Sequence, residues 1–253
     1  LKEKRKFTIW GKNPILEALR AGVELEKIYI AHDSKINRKL IDLANKRGIK
    51  VQRVSRKKVE ELAGTKKTQG VVALISPISY CSPEEIFTET LNKNSFFIVL
   101  DHITDPQNVG NLLRTCEVLG GVGALIPKER TAPINQTVIK ASSGAVFHLR
   151  IAKVSGLYQW LREFSRMGGW IFAVEKGGTD IRDKEIATPC CLILGSEDKG
   201  VSESLIKLSD EILTIPMKGK TGSLNVGSAG AIAMWEIAKN RGEPLRPHGR
   251  SFQ

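Results

Sequence analysis

Cysteine is scarce in this sequence. The four residues, Cys81, Cys116, Cys190 and Cys191, form no C-x-x-C pair, and two of them fall in an apolar run. They are expected to be reduced core residues, not metal or redox ligands. The four histidines, His32, His102, His148 and His248, share no metal-ligand spacing, so no metal site is expected. His102 sits in a loop where a base could act, but a structural or incidental role is the preferred reading. No apolar run approaches the ~18 residues of a membrane span, and no apolar segment follows the basic start as it would in a secretory signal. The expectation is a soluble, cytoplasmic protein without a membrane partner. Two nucleotide motifs are also incomplete. Gly219-Lys220-Thr221 ends like a phosphate-binding loop, but that motif needs glycine where Thr214 stands. Gly120, Gly121 and Gly123 lack the G-x-G-x-x-G order and read as a helix stop.

What is present is positive charge, unevenly placed. The 253 residues carry a net +12, with 41% hydrophobic and 26% charged residues, close to ordinary globular composition. Residues 1–80 hold 19 Lys+Arg against 8 Asp+Glu, a net +11, whereas residues 81–253 are nearly balanced at +1. So lopsided a charge suits a polyanion, because each neutralised phosphate releases condensed counterion. A solvated basic surface is the alternative.

Hydrophobic periodicity and punctuation predict an α/β chain. Residues 1–8 read as a frayed basic arm. Asn13-Pro14 opens a helix that stops at Gly22; strands follow at Lys27–Ala31, Ile49–Val54 and Val71–Ile75, with helices from Ser34 to Arg47 and Ser55 to Leu62. Residues 1–76 are expected to form a small α/β RNA-facing domain, and residues 77–94 a linker that contains a helix from Pro83. Residues 95–253 alternate again. Strands are expected at Phe96–Asp101, Val122–Ile126, Trp170–Val174, Cys190–Leu194 and Glu211–Ile215. Helices are expected at Asn108–Leu119, Ile134–Ala141, Val154–Met167, Val201–Leu208 and Asn225–Asn240. The continuous apolar runs of two strands indicate cover on both faces, hence an open, mostly parallel sheet between helices.

Three loops after the carboxyl ends of strands carry the polar residues. They are Asp101 to Gly110 leading to Arg114, Leu194 to Gly200, and Ile215 to Asn225. Such loops are where ligands bind in open α/β sheets. In order and spacing they resemble the three motifs of the SpoU (TrmH) family of RNA methyltransferases. Asp105-Pro-Gln-Asn108-Val-Gly110 with Arg114-Thr115 is similar to the first motif. Leu194-Gly195-Ser196-Glu197-Asp198-Lys199-Gly200 is similar to the second, and Ile215-Pro216 with Ser223-Leu224-Asn225-Val226 to the third. Gly11-Lys-Asn-Pro-Ile-Leu-Glu17-Ala18-Leu19 resembles the substrate-binding domain often fused ahead of that catalytic domain, with a fold like ribosomal protein L30e. Asn135-Gln136-Thr137-Val138 and Ala141-Ser142-Ser143-Gly144-Ala145 fit the same subgroup, the 23S ribosomal RNA guanosine-2′-O-methyltransferases. Gly227 departs from the pattern, which often has Ser or Ala there.

The resemblance implies a C-terminal deep trefoil knot threaded after about Leu192, which composition could not show. It implies S-adenosylmethionine as methyl donor, touched by Gly195, Ile215 and Leu224. It also implies structured ribosomal RNA as partner, no DNA, and a homodimer packed through the knotted domain. Methyl transfer from a sulfonium needs the acceptor oxygen in line and a route for its proton, with positioning able to supply ~7–11 kcal/mol. Arg114 is the family's candidate base. A free arginine stays protonated, so either Arg114 is strongly perturbed, or it stabilises a developing alkoxide while another group takes the proton. Asn108 and Ser223 would orient Arg114 or the RNA. Asn225 would cap the closing helix, and Glu197 would fix loop backbone or meet an arginine of the partner subunit. A tRNA or ribosomal-RNA adenosine methyltransferase, or a catalytically silent RNA-binding protein, are the other readings.

Overall fold

A computed structural model describes residues 7–36 and 38–239. Most of the expected basic arm, His248, and Asn240 at the end of the closing helix lie outside the described residues. In chain order the first elements are β1 (Phe7–Trp10), α1 (Lys12–Arg20), β2 (Leu25–Ala31), α2 (Arg38–Lys46), β3 (Lys50–Val54), α3 (Arg56–Ala63) and β4 (Val71–Ile75). Then come α4 (Pro83–Asn92), β5 (Phe96–Asp101), α5 (Pro106–Val118), β6 (Gly123–Pro127), α6 (Gln136–Ala141), β7 (Arg150–Val154) and α7 (Leu157–Arg166). The last are β8 (Trp170–Asp180), β9 (Cys190–Gly195), α8 (Glu203–Leu208), β10 (Glu211–Thr214) and α9 (Val226–Lys239).

The chain packs as two compact units. The first joins the residues up to Tyr80 with Asp105–Arg114 and Ala132–Arg150. Its sheet runs β1-β4-β2-β3, with β4 antiparallel to both neighbours and β2 parallel to β3. The expected arm is in part a strand: Phe7 pairs with Ile75 and Trp10 with Val72, and Ile9 is buried. β4 is buried through Val71, Val72 and Ala73, so both of its edges need a partner to satisfy backbone groups away from water. Helix α1 starts earlier than Asn13-Pro14 suggests. Gly11 at φ 95° is its N-cap, and Gln69 Oε1 accepts from the Lys12 backbone N–H at 2.8 Å. Helix α2 starts later than expected, and Ser34 instead donates to the Gln69 carbonyl.

The two later segments are built into this unit. Asp105 caps α5, accepting from the backbone of Gln107 and Asn108, so the helix begins at Pro106, ahead of the expected Asn108. Asn135 caps α6 through Oδ1. Gln136 donates to Thr8 Oγ1 at 3.0 Å, and His148 Nε2 lies 2.9 Å from Glu17 Oε2. Two glycines let backbones meet. A Cβ on Gly110 would fall 2.4 Å from Ala141 Cβ, and one on Gly144 would fall 2.9 Å from Pro14 Cα.

The second unit holds Cys81–Thr104, Thr115–Thr131 and the chain from Ile151 onward. Its six-stranded sheet runs β10-β8-β9-β5-β6-β7, and the pairings β10–β8, β8–β9, β9–β5 and β5–β6 are all parallel. β5 and β9 occupy the middle, buried almost throughout as their apolar runs require. Phe87, Phe97 and Phe164 pack ring on ring beneath the sheet at 4.9–5.5 Å. None of the four cysteines is in a disulfide, and three are buried. Burial pushes the Cys116 and Cys191 thiols above their ordinary range. Among the described residues no helix is long and apolar enough to cross a membrane.

Two expectations are corrected here. Helical periodicity predicts one helix over Val154–Met167; Arg150–Val154 is instead a strand, and the helix starts only at Leu157. Ile151, Ala152 and Val154 are buried and Val154 accepts from the Lys128 N–H, so edge pairing decides what helical periodicity left out. Likewise β8 does not stop at Val174 but runs on to Asp180. Its exposed second half pairs with β10 after a register shift between Ile212 and Leu213. Gly178 permits the approach, since a Cβ there would lie 2.1 Å from the Ile212 carbonyl oxygen.

Candidate active site

The second unit opens a cleft of about 1070 Å³ at the carboxyl ends of β5, β9 and β10 and beside the middle of β8. Each wall is a loop whose conformation its own residues dictate. After β9 the chain turns back sharply: Gly200 donates to the Ser196 carbonyl at 2.9 Å, and Ser196 Oγ accepts from the Lys199 backbone. Gly195 has to be glycine, because a Cβ would fall 2.1 Å from the Gly200 carbonyl carbon. Glu175, on the extension of β8, holds the far end of this turn by accepting from the Val201 N–H at 3.0 Å. Thr214, ending β10, donates to the Glu175 carbonyl and accepts from the Gly178 N–H, each at 2.7 Å, which ties the two strand ends together.

At the end of β5, Asp101 is 1% exposed. One carboxylate oxygen accepts from both the backbone and the hydroxyl of Ser202, at 2.7 and 2.5 Å, and the other lies 2.6 Å from His102 Nδ1. His102 itself lines the cleft, with its backbone in the left-handed region at φ 58°.

Six of the expected residues come together here. Gly195, Glu197, Ile215, Ser223 and Leu224 line the cleft. Asn225 stands beside them, donating from Nδ2 to Glu197 Oε1 at 2.5 Å. Its Oδ1 also accepts from the Gly227 N–H, so Asn225 caps α9 as expected. Asn108 and Arg114 belong to the other unit. Asn108 is buried there, and the exposed Arg114 donates to Ser143 Oγ at 3.3 Å. Sequence reasoning missed Glu175, Thr214 and Arg130. Glu175 lay just past the predicted end of its strand, and nothing in its neighbours marks it out.

The profile of the SpoU rRNA Methylase family matches residues 95–235, and that of the RNA 2′-O ribose methyltransferase substrate-binding family matches residues 8–81. Among relatives, the chain is 34% identical over 236 residues to YacO of Bacillus subtilis, named for the TrmH family of tRNA/rRNA methyltransferases, covering 91% of this chain and 94% of that one. An uncharacterized tRNA/rRNA methyltransferase of Mycobacterium ulcerans is 30% identical over 239 residues, covering 92% and 77%. The fold is shared with solved structures. The SpoU methyltransferase AviRb of Streptomyces viridochromogenes, in complex with AdoMet (S-adenosylmethionine), superposes with a TM-score of 0.78 at 20% identity over 95% of this chain and 94% of its own. The AdoMet-bound rRNA methyltransferase of Sinorhizobium meliloti gives 0.78 at 23% identity, covering 94% and 89%. The chain therefore belongs to the SpoU (TrmH) family, whose members are AdoMet-dependent RNA methyltransferases.

Proposed function

We propose that this enzyme methylates the ribose 2′-hydroxyl of a guanosine in 23S ribosomal RNA, with AdoMet held in the cleft of the second unit. The observation that carries this reading is the gathering of Gly195, Ile215 and Leu224, with the paired Glu197 and Asn225, around one strand-end cleft. The lining fits the cofactor. Leu194, Ile215, Leu224 and Val226 offer apolar surface, the Gly195–Gly200 turn offers backbone, and Glu175, Glu197 and Glu203 offer carboxylates to a cation. The volume is ample for a nucleoside-sized ligand.

When bound, AdoMet supplies an electrophilic methyl group on a sulfonium. Ile215 and Leu224 hold the apolar parts, and the Gly195 backbone reaches the polar edge. Glu197 and Asn225 lock the second loop to the third, so that both are set before the reaction begins. Arg114, steadied by Ser143, meets the ribose oxygen and stabilises its developing negative charge while another group or an RNA phosphate takes the hydroxyl proton. Asn108 supports the helix that carries Arg114, and Ser223 orients the RNA. The +11 charge of residues 1–80 draws in the RNA. Family membership supports a knot after about Leu192. The exposed Ile232 and Trp235 on α9 support a homodimer formed through the same domain.

The test is nucleotide-resolution mapping of 2′-O-methylation across total ribosomal RNA and tRNA in cells with and without the gene. Loss of one methylguanosine in 23S ribosomal RNA is expected. Loss at a tRNA position or at an adenosine would move the substrate, and an unchanged map would overturn the reading.

A further inference from the structure

The second unit carries another hollow, of about 450 Å³, at the carboxyl ends of β5, β6 and β7. Nothing in the reaction described above uses it. It shares a wall with the cofactor cleft, since His102, Arg130 and Ser202 line both. Two of those residues, His102 at φ 58° and Arg130 at φ 54°, hold left-handed backbone. Non-glycine residues adopt that conformation at a cost, and such residues gather at ligand sites.

The rest of the hollow is furnished for a nucleotide. Tyr158 lines it with 41% of its surface exposed, a ring on which a base can stack whatever its identity. Lys128 and Arg130 bring two cations. The start of α7 lines the hollow as well: Gly156 at its N-cap has no side chain to cap it, and the first turn holds no acidic residue. The positive end of this ten-residue helix thus borders the hollow beside Gln159, whose Oε1 lies 2.5 Å from where a Cβ on Gly156 would stand. Asp101 is also on the wall: one of its carboxylate oxygens accepts from the Ser202 backbone and hydroxyl, and the other lies 2.6 Å from His102 Nδ1. Glu129, also on the wall, can accept from the amino group of a base.

We propose that this hollow is a nucleotide subsite, taking the base and phosphate of an RNA residue that adjoins the methylated one. The inference rests on the first cleft being the cofactor's. With the acceptor ribose against that cleft, the shared wall is where the next nucleotide leaves it. Tyr158 and Lys128 line the second hollow and not the first, so they separate the two functions.

The experiment uses the full chain and its variants Tyr158→Ala and Lys128→Ala. AdoMet is titrated by calorimetry. A short random-sequence RNA containing 4-thiouridine is followed by fluorescence anisotropy and by photo-crosslinking with peptide mapping. Each variant is expected to weaken RNA binding roughly tenfold, with AdoMet affinity unchanged and the wild-type crosslink falling on the peptide that contains Leu157–Gln159. Should both variants bind RNA as the wild type does, or should wild type show no RNA binding, the subsite is refuted. A variant that weakens AdoMet binding instead would assign the hollow to the cofactor and likewise overturn the proposal. Absence of AdoMet heat in the wild type is a separate result, and it would count against the cofactor cleft itself.

Discussion

Glu175 holds the Gly195–Val201 turn from behind, and its oxygen sits where any side chain at Gly200 would have to go: a Cβ there would be 2.0 Å away. A hydrogen bond to a charged group contributes ~1.5–3 kcal/mol. Glu175→Ala should therefore weaken AdoMet binding roughly ten- to hundredfold by calorimetry, while far-ultraviolet dichroism stays that of the wild type. Arg114 is predicted to act later. Arg114→Ala should lower the single-turnover rate on cognate RNA by about 10²–10³ or more, the scale of losing a group that stabilises developing charge, with AdoMet affinity unaltered. Glu211 offers a pH probe. Its hydrogen bond from Lys184, at 2.6 Å, and then one involving Thr179 hold its carboxyl below the ordinary 4.5. Because the folded-state pKa is the lower one, this stabilisation is complete above the unfolded value and disappears as pH falls through the folded one. Lys184→Met should cost about 1 kcal/mol or less near neutral pH in denaturant unfolding, and the gap should close on acidification.

At the scale of elements, two helices of the first unit touch through Gly110. A Cβ there would lie 2.4 Å from Ala141 Cβ and 2.9 Å from the Val138 carbonyl oxygen, both on α6. Gly110→Val should cost about 1–3 kcal/mol through overpacking, read by denaturant unfolding; an equal midpoint would mean α5 and α6 can separate freely. Elements differ in how plainly the sequence announces them. β5 and β4 read at their observed limits because unbroken apolar runs need cover on both faces. β1 and β7 did not read so. Each is a short strand that exists because a buried neighbour needs a partner, and in β7 the three buried positions fit a helical stripe as easily. Asn225 was legible as a cap, since asparagine before an apolar helix has a local reason to be there. Its bond to Glu197, 28 positions away, has none.

At the scale of the molecule, charge and packing divide the chain differently. Nearly all of the net charge lies in residues 1–80. Yet Thr8, Pro14 and Glu17 pack against Gln136, Gly144 and His148. Deleting residues 1–76 would strip α6 of its support, so the charge is better tested in place. Replacing exposed Lys57, Lys66 and Lys67 with glutamine should flatten the slope of log K against log salt by about 0.7–0.9 for each phosphate that is no longer neutralised. Methyl transfer at saturating RNA should be preserved, and an unchanged slope would place the RNA elsewhere.

By itself the sequence determined the α/β class, the order of the buried strands, the three loops that follow strand ends and the imbalance of charge. Each of these is written in local composition: apolar runs, turn residues, and spacings within one loop. Only the tertiary structure decided that Asp105–Arg114 and Ala132–Arg150 pack with the N-terminal part. It alone brought Glu175 in to brace the Gly195–Val201 turn, and set a second hollow behind His102 and Arg130. Those are meetings of residues far apart in the chain, made by glycines that let backbones approach and by strand edges that need partners, and they leave no period in the sequence.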